Sequence, residues 1–306
     1  MNYYKSPYVD LRLGDSRDVV KDIDANSIQT VVTSPPYWGL RDYHTDNQIG
    51  LEQRPDEYIE NLVELFSSIR SILHPSGTVW LNLGDSYHNY RSTAIDNRKQ
   101  TLAKTRQDRP DRSPHRSNRI EGLKSKDLVG MPWRTAFALQ SDGWYLRSDI
   151  IWSKPNPMPE SVKDRPTKSH EYIFLLSKSM NYYYDHDAIK EPTTTYDTNI
   201  RDRDTTKLNN TPGRTKMGGL KVNSYEMRNK RSVWEVNTHP YPKAHFATYP
   251  ERLVEPCILA GTPEKGVCSI CYTPWHHAKE VSHTPEREPR DNRVGVIPGR
   301  DSVSRM

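Results

Sequence analysis

Cysteine and phenylalanine are scarce in this chain, with three of the first and four of the second among 306 residues. Cys257, Cys268 and Cys271 cannot build a disulfide framework, which excludes the small stapled scaffolds and agrees with a reducing compartment. Nowhere is there an apolar run of about 18 residues, nor the charged-then-apolar opening of a signal peptide. The expectation is therefore a soluble, cytoplasmic protein that does not enter a membrane. Apolar residues are also few, at 34%, and mean hydropathy is −0.90. A core must then be concentrated in part of the chain, with long polar segments elsewhere. There is no internal repeat. The formal net charge of +5 is compatible with a nucleic-acid partner but too small to establish one.

What is present centres on Thr33-Ser34-Pro35-Pro36-Tyr37-Trp38. The preceding run, Ile28-Gln29-Thr30-Val31-Val32, is rich in β-branched residues and reads as a buried strand. Two prolines in succession cannot continue a ladder, because neither has an N–H to donate, and each fixes its own φ. Pro36 further pushes Pro35 into an extended shape. The strand must stop at Ser34 and pass into a stiff loop ending in two aromatics. In an open α/β sheet, ligands bind at the carboxyl ends of strands. A rigid backbone with a hydroxyl, free carbonyls and an aromatic face suits a planar ligand bearing an amino group.

Around that loop the pattern alternates strands and helices. Tyr8 to Leu13 reads as a strand running into Gly14-Asp15-Ser16, and Asp15 suits the cap of a helix over Arg17 to Ile23. Pro55, Asp56 and Glu57 open a helix whose Ile59, Leu62, Val63, Phe66, Ile69, Ile72 and Leu73 share a face. Pro75 and Gly77 end it, and Thr78 to Leu83 is the next strand, closing in Gly84-Asp85-Ser86. Strand, helix, strand in this rhythm predicts a parallel sheet with right-handed crossovers. A helix opening near Met131, with Phe137, Ala138 and Leu139 inward, leads to a strand over Trp144 to Trp152 and the Pro-stiffened loop Ser153 to Pro159. His170 to Lys178 is a further strand, with Tyr182 to Asp185 as its expected hairpin partner. His170 and Glu171 invite an acid/base role or, more simply, hold a loop at the strand start. A last helix runs from Glu251 to Ala260, with Leu253, Val254, Ile258 and Leu259 on one face.

Between Arg91 and Lys126 stand eleven Lys or Arg against four acids, an excess larger than the net charge of the whole chain. A long basic loop of this kind is what phosphate-backbone binding uses, with Arg98, Lys99, Arg106, Arg109 and Arg112 as candidate contacts. The alternative is a solvated, mobile insertion.

Ser34-Pro35-Pro36-Tyr37 is similar to the catalytic motif of DNA methyltransferases that modify the exocyclic amino group of cytosine or adenine. The longer Thr33 to Tyr43 string, the Trp152 to Asn156 segment and His170-Glu171-Tyr172-Ile173 follow in the order of the class with this motif near its N-terminus, the β-type order. The resemblance implies a Rossmann-like, S-adenosylmethionine-dependent α/β sheet with long polar insertions. It implies transfer of a methyl group to a base flipped out of double-stranded DNA, in restriction-modification or phage self-protection. Ser34, Pro35, Pro36 and Tyr37 would be catalytic, with the Ser34 hydroxyl and the Pro35 carbonyl as acceptors and Tyr37 stacking on the base. Trp38 and Arg41 would contact DNA. Asp15, Phe246 and Thr248 would lie against the cofactor, although Asp15 serves equally as a cap. A leading Ser favours cytosine N4, and adenine N6 stays open.

One part of the family pattern is missing. No Gly-rich cofactor loop stands after Gly261 or elsewhere. The two strands it belongs to would lie between the strand ending at Leu13 and the one ending at Val32, so the sheet is expected to be incomplete at its centre. Either a second chain supplies them, or the chain is a silent DNA-binding remnant or half of a split methylase, or the remaining elements close into an altered sheet. In their place come Cys268-Ser269-Ile270-Cys271, which with His276, His277 or His283 make a zinc site or only half of one. The expected segments are residues 1–86 and 128–187 for the catalytic domain, and 87–127 for the basic insertion. Residues 188–230 would be a target-recognition or disordered loop, 231–266 a cofactor-side segment, and 267–306 a polar tail.

Overall fold

A computed structural model describes residues 2–43, 45–88, 122–193, 226–239, 248–270 and 272–275. In chain order these form β1 (Asn2–Lys5), β2 (Asp10–Arg12), α1 (Ser16–Val19) with a 3-10 turn over Val20–Asp22, β3 (Ile28–Thr33), α2 (Pro55–Ile72) and β4 (Leu73–Leu83). There follow α3 (Met131–Ser141), β5 (Tyr145–Ser153), β6 (His170–Ser177), β7 (Glu191–Pro192), β8 (Met227–Arg228), β9 (Val233–Glu235) and α4 (Glu251–Gly261).

Five strands make the main sheet, in the order β3-β4-β6-β5-β9. β3 and β4 run parallel across the α2 crossover, as the strand–helix–strand rhythm predicts. β6 then runs antiparallel to both of its neighbours, β4 and β5, so the sheet is mixed and not all-parallel. β9 lies parallel to β5.

Alternation along β4 explains the two cores. Val79, Leu81 and Leu83 face one way and pack with Phe174 and Leu176 of β6 under α2 and α3. Trp80 faces the other way, joining Ile150, Trp152, Ile173 and Leu175 beneath Leu253, Cys257 and Ala260 of α4. α2 presents Tyr58, Leu62, Leu65, Phe66, Ile69 and Ile72, a stripe at helical spacing. Its start is fixed by Pro55 and by the Glu57 carboxylate, which accepts the Arg54 N–H at 3.3 Å.

Several expectations need correction. β4 begins at Leu73 and passes through Pro75 and Gly77, because its register against β3 shifts between Ile28 and Thr30 and the proline sits in that irregularity. Tyr182 to Asp185 form no strand; the Tyr183 N–H donates to Ser76 O at 2.8 Å and the Asp185 N–H to Ala260 O at 2.9 Å. Phe137 is 54% exposed, since Thr135, Ala136 and Leu139 are the residues α3 turns inward. On α4, Leu253, Cys257 and Ala260 are inward, while Ile258 and Leu259 face out at 45% and 44%. Burial pushes the Cys257 thiol up to about 12, so it behaves as a small apolar side chain.

β2 does not join the main sheet. It pairs antiparallel with β1, and its residues are exposed. β3 has β4 on one side and no strand on the other among the described residues. That free edge is where the two missing strands are expected.

Candidate active site

The register brings four chain segments to one edge of the sheet. β3 and β4 are parallel, so Ser34 and Gly84, the residues after them, leave the sheet on the same side. β6 is antiparallel to β4, pairing Leu83 with Tyr172, so its first residues begin at that edge. β5 ends there as well, pairing Ser153 with His170, and hands over to Lys154. The carboxyl end of a strand pair is where an open α/β sheet offers its crevice.

The Ser34 to Tyr37 loop is braced from behind. The Tyr58 hydroxyl, on the buried stripe of α2, donates to the Pro36 carbonyl at 2.9 Å. A turn follows, the Leu40 N–H donating to Tyr37 O at 3.2 Å and the Gly39 N–H to Gly50 O at 2.8 Å. Gly50 has φ +101°, and a Cβ there would sit 3.2 Å from the Tyr37 carbonyl oxygen, so the return strand of the loop requires glycine. With Pro36 O engaged by Tyr58, the Pro35 carbonyl receives no donor from the described residues.

Tyr37 points its hydroxyl into the protein. It donates to Glu171 Oε2 at 2.6 Å, and it accepts from Ser34 Oγ at 3.2 Å and from Asn82 Nδ2 at 2.9 Å. Asn82 Nδ2 also donates to Glu171 Oε2, at 2.9 Å. The second carboxylate oxygen of Glu171 pairs with the Lys154 ammonium, both side chains being less than one-fifth exposed. Lys154 Nζ lies 4.1 Å from the centre of the Trp152 ring. Burial, and then the neighbouring Glu171 carboxylate, push the Tyr37 hydroxyl well above the usual phenol range, so it stays a donor. Gly84 backs the pair: a Cβ there would meet Tyr37 Cε2 at 2.7 Å and Glu171 Cδ at 3.4 Å.

Beside this edge opens a cleft of about 970 Å³, lined by Trp38, Leu40, Asp85, Lys126, Arg165 and Lys168 among others. Asp85 is fixed by the start of α3, its Oδ1 accepting the Gly130 and Met131 N–H groups at 3.0 and 3.1 Å. Its other oxygen lies 3.9 Å from Lys168 Nζ, whose pKa burial lowers. On the rim, Arg165 stacks over Tyr87 at 3.8 Å and pairs with Glu160 at 2.6 Å, while Lys126 pairs with Asp164 at 2.5 Å. The two stems of the basic insertion meet here. Tyr87 bridges Leu128, the His88 N–H donates to Asp127 O at 2.8 Å, and the Lys126 N–H donates to His88 O at 2.7 Å.

The residues expected at the site fare differently. Ser34, Pro35, Pro36 and Tyr37 stand together at the edge. Trp38 is 7% exposed, its ring joins the core and its indole N–H donates to Glu52 O at 2.9 Å, while the residue still lines the cleft. His88, in the stem of the basic insertion, is 5% exposed. Arg41 is half-buried and gives its carbonyl to Gln48 Nε2 at 2.8 Å. Asp15 caps α1, accepting the Arg17 N–H at 2.9 Å, and pairs with the Arg17 guanidinium at 2.5 Å, whose hydrogen bonds hold the carboxyl below its usual range. Thr248 is exposed. Of the residues that the resemblance places against the cofactor, Asp15 is thus engaged with its own helix and Thr248 stands open. Phe246, Arg98, Lys99, Arg106, Arg109, Arg112 and Cys271 lie outside the described residues. Cys268 is described, and no metal-ligating cluster occurs among the described residues.

Tyr58, Asn82, Gly84 and Lys154 carry roles that the sequence pattern does not assign. Their signal is positional: three stand at or next to a strand end, and Tyr58 is the first buried aromatic of α2.

A family model described as DNA methylase matches residues 28–269. The type II methyltransferase M.SmaI of Serratia marcescens is 47% identical over 254 residues, covering 83% of this chain and 75% of its own length. M.Cfr9I of Citrobacter freundii is 47% identical over 253 residues, covering 81% and 71%. Among solved structures, the PvuII DNA methyltransferase (cytosine-N4-specific) aligns with 82% of this chain and 70% of its own, at 17% identity and a TM-score of 0.49. The match spans the strand before Ser34, the loop itself and every segment gathered at the edge: the chain belongs to the DNA methylase family, the N4/N6 amino-methyltransferases, whose methyl donor is S-adenosylmethionine.

Proposed function

We propose that this chain serves a restriction-modification system by methylating cytosine N4 in double-stranded DNA. The observation that carries the reading is the pair of acceptors at the sheet edge. The Ser34 hydroxyl has its own proton directed at Tyr37, and the Pro35 carbonyl has no donor among the described residues. An exocyclic amino nitrogen is a poor nucleophile because its lone pair is delocalised into the ring. Two acceptors drawing on its two N–H bonds favour a tetrahedral nitrogen and stabilise the positive charge that grows there during transfer. S-adenosylmethionine supplies an electrophilic methyl group. Tyr37, anchored by its hydroxyl, offers its ring to the base, which must leave the duplex to reach a crevice.

The cleft and the paired stems of the basic insertion support a DNA contact. Arg98, Lys99, Arg106, Arg109 and Arg112 of that insertion would neutralise phosphates. Phosphate would compete with Asp164 and Glu160 for Lys126 and Arg165. Ser at position 34 favours cytosine N4, whereas the same two acceptors would also hold adenine N6.

A second reading is favoured by the edge of β3, which no strand covers among the described residues, and by the lack of a Gly-rich loop in these 306 residues. Here the chain binds DNA and holds the amino group, while a second chain completes the cofactor side. Calorimetric titration with S-adenosylmethionine separates the two. Heat of binding supports methylation by this chain alone; its absence, with salt-sensitive DNA binding retained, supports the divided enzyme. Tritium transfer from labelled cofactor to DNA, lost in Ser34→Ala, tests the activity itself.

A further inference from the structure

The hydrogen bonds behind Ser34 have a direction, and its source lies on β6. Ser34 Oγ donates to the Tyr37 oxygen at 3.2 Å, and the Tyr37 hydroxyl donates to Glu171 Oε2 at 2.6 Å. The Glu171 carboxylate is an acceptor only, and its other oxygen is taken by the Lys154 ammonium. Asn82 adds two donors, at 2.9 Å to Tyr37 and 2.9 Å to Glu171, so the tyrosine oxygen has no reason to turn its proton anywhere but to the carboxylate. A proton on Tyr37 aimed at Ser34 would use up a lone pair of the serine. A proton aimed at Glu171 leaves both lone pairs of Ser34 facing outward.

We propose that Glu171 is a positioning residue that sets the polarity of this chain. Charged and held by Lys154, it makes Tyr37 a donor inward, so that Ser34 acts as a pure acceptor toward the amino group of the target base. The inference rests on the amino-clamp reading of Ser34 and extends it to residues 154 and 171.

Glu171→Gln tests the direction, because the amide has one accepting and one donating end. With Lys154 in place, the amide oxygen turns to the ammonium and the NH₂ group turns to Tyr37. The Tyr37 proton then goes to Ser34, and the acceptor is lost. In Lys154→Met/Glu171→Gln the amide is free to rotate and present its oxygen to Tyr37. Polarity returns without a charge.

The experiment uses the full chain labelled with ¹³Cζ-tyrosine, the Tyr37 resonance being identified by its loss in Tyr37→Phe. In the wild type that resonance is expected at the position of a phenol donating to carboxylate. It should move in Glu171→Gln and move back in the double variant. Methyl transfer to DNA should follow the same order. kcat should fall about 10²-fold in the single variant, the scale of losing one oriented transition-state group, with KM for DNA unchanged, and recover most of the loss in the double. A wild-type Tyr37 resonance at the accepting end overturns the proposal even if the variants fail to fold. So does a single variant whose resonance and kcat stay put, or a double no better than the single. If the wild type transfers no methyl group, the functional reading fails, and the resonance alone decides the polarity.

Discussion

Tyr58 on α2 holds the Pro36 carbonyl, its hydroxyl donating at 2.9 Å across 22 residues of sequence. This contact ties the Ser34 to Tyr37 loop to a buried stripe of α2, where Tyr58, Leu62 and Phe66 are each 0% exposed. Tyr58→Phe keeps the ring and removes the donor. The Pro36 carbonyl then loses its partner at a cost of about 1–3 kcal/mol, and the loop loses its rear brace. Urea denaturation should show that loss of stability, and methyl transfer should fall with it. An unchanged midpoint and rate would mean the loop is rigid through its prolines alone.

Gly84, the residue after β4, packs directly behind Tyr37. A methyl group there would lie 2.7 Å from a ring carbon of Tyr37, a distance that real Cβ contacts do not show. Gly84→Ala should push the ring off its present position and lengthen the Tyr37–Glu171 bond. The expected result is a stability loss of about 1–3 kcal/mol, the range for overpacking, and loss of methyl transfer out of proportion to it. A crystal structure of the variant with Tyr37 unmoved would contradict this placement.

His170, next to Glu171 on β6, and His74, at the start of β4, both have their pKa lowered from the ordinary 6.5 by burial, helped by Lys168 and Lys178 respectively. The unfolded chain therefore takes up these protons first as pH falls. Stability from this source is full above 6.5 and declines as pH drops through the lower folded-state values. Urea midpoints should hold steady from about pH 8 to 7 and fall over an interval that begins near pH 6.5. His74→Gln/His170→Gln should flatten that interval. A midpoint that rises on acidification would contradict the burial of the two rings.

The parts of this protein that were legible in the sequence are those set by local pattern. β3, α2, β5 and β6 announce themselves through β-branched runs, a helical stripe and turn residues, and the two prolines at 35 and 36 dictate where β3 stops. Features that depend on which strand lies beside which were hidden. Nothing local says that β6 inserts antiparallel between β4 and β5, and only that insertion brings Glu171 and Lys154 to Tyr37. Trp38 looks like a display residue after a proline turn, but Glu52 accepts its N–H and the core takes its ring. The outward Ile258 and Leu259 of α4 and the exposed β2 were misread for a related reason. Their apolar pattern is suited to neighbours that do not occur among the described residues.

If Ser34 and the Pro35 carbonyl clamp the amino group of a cytosine in DNA, the product carries its methyl group on N4 and its formation needs Ser34. This is tested most directly by mass spectrometry of nucleosides from DNA incubated with the full chain and S-adenosylmethionine, alongside Ser34→Ala. N4-methylcytosine should appear with the wild type and vanish with the variant. N6-methyladenine in its place, or N4-methylcytosine that survives the loss of Ser34, would contradict the clamp.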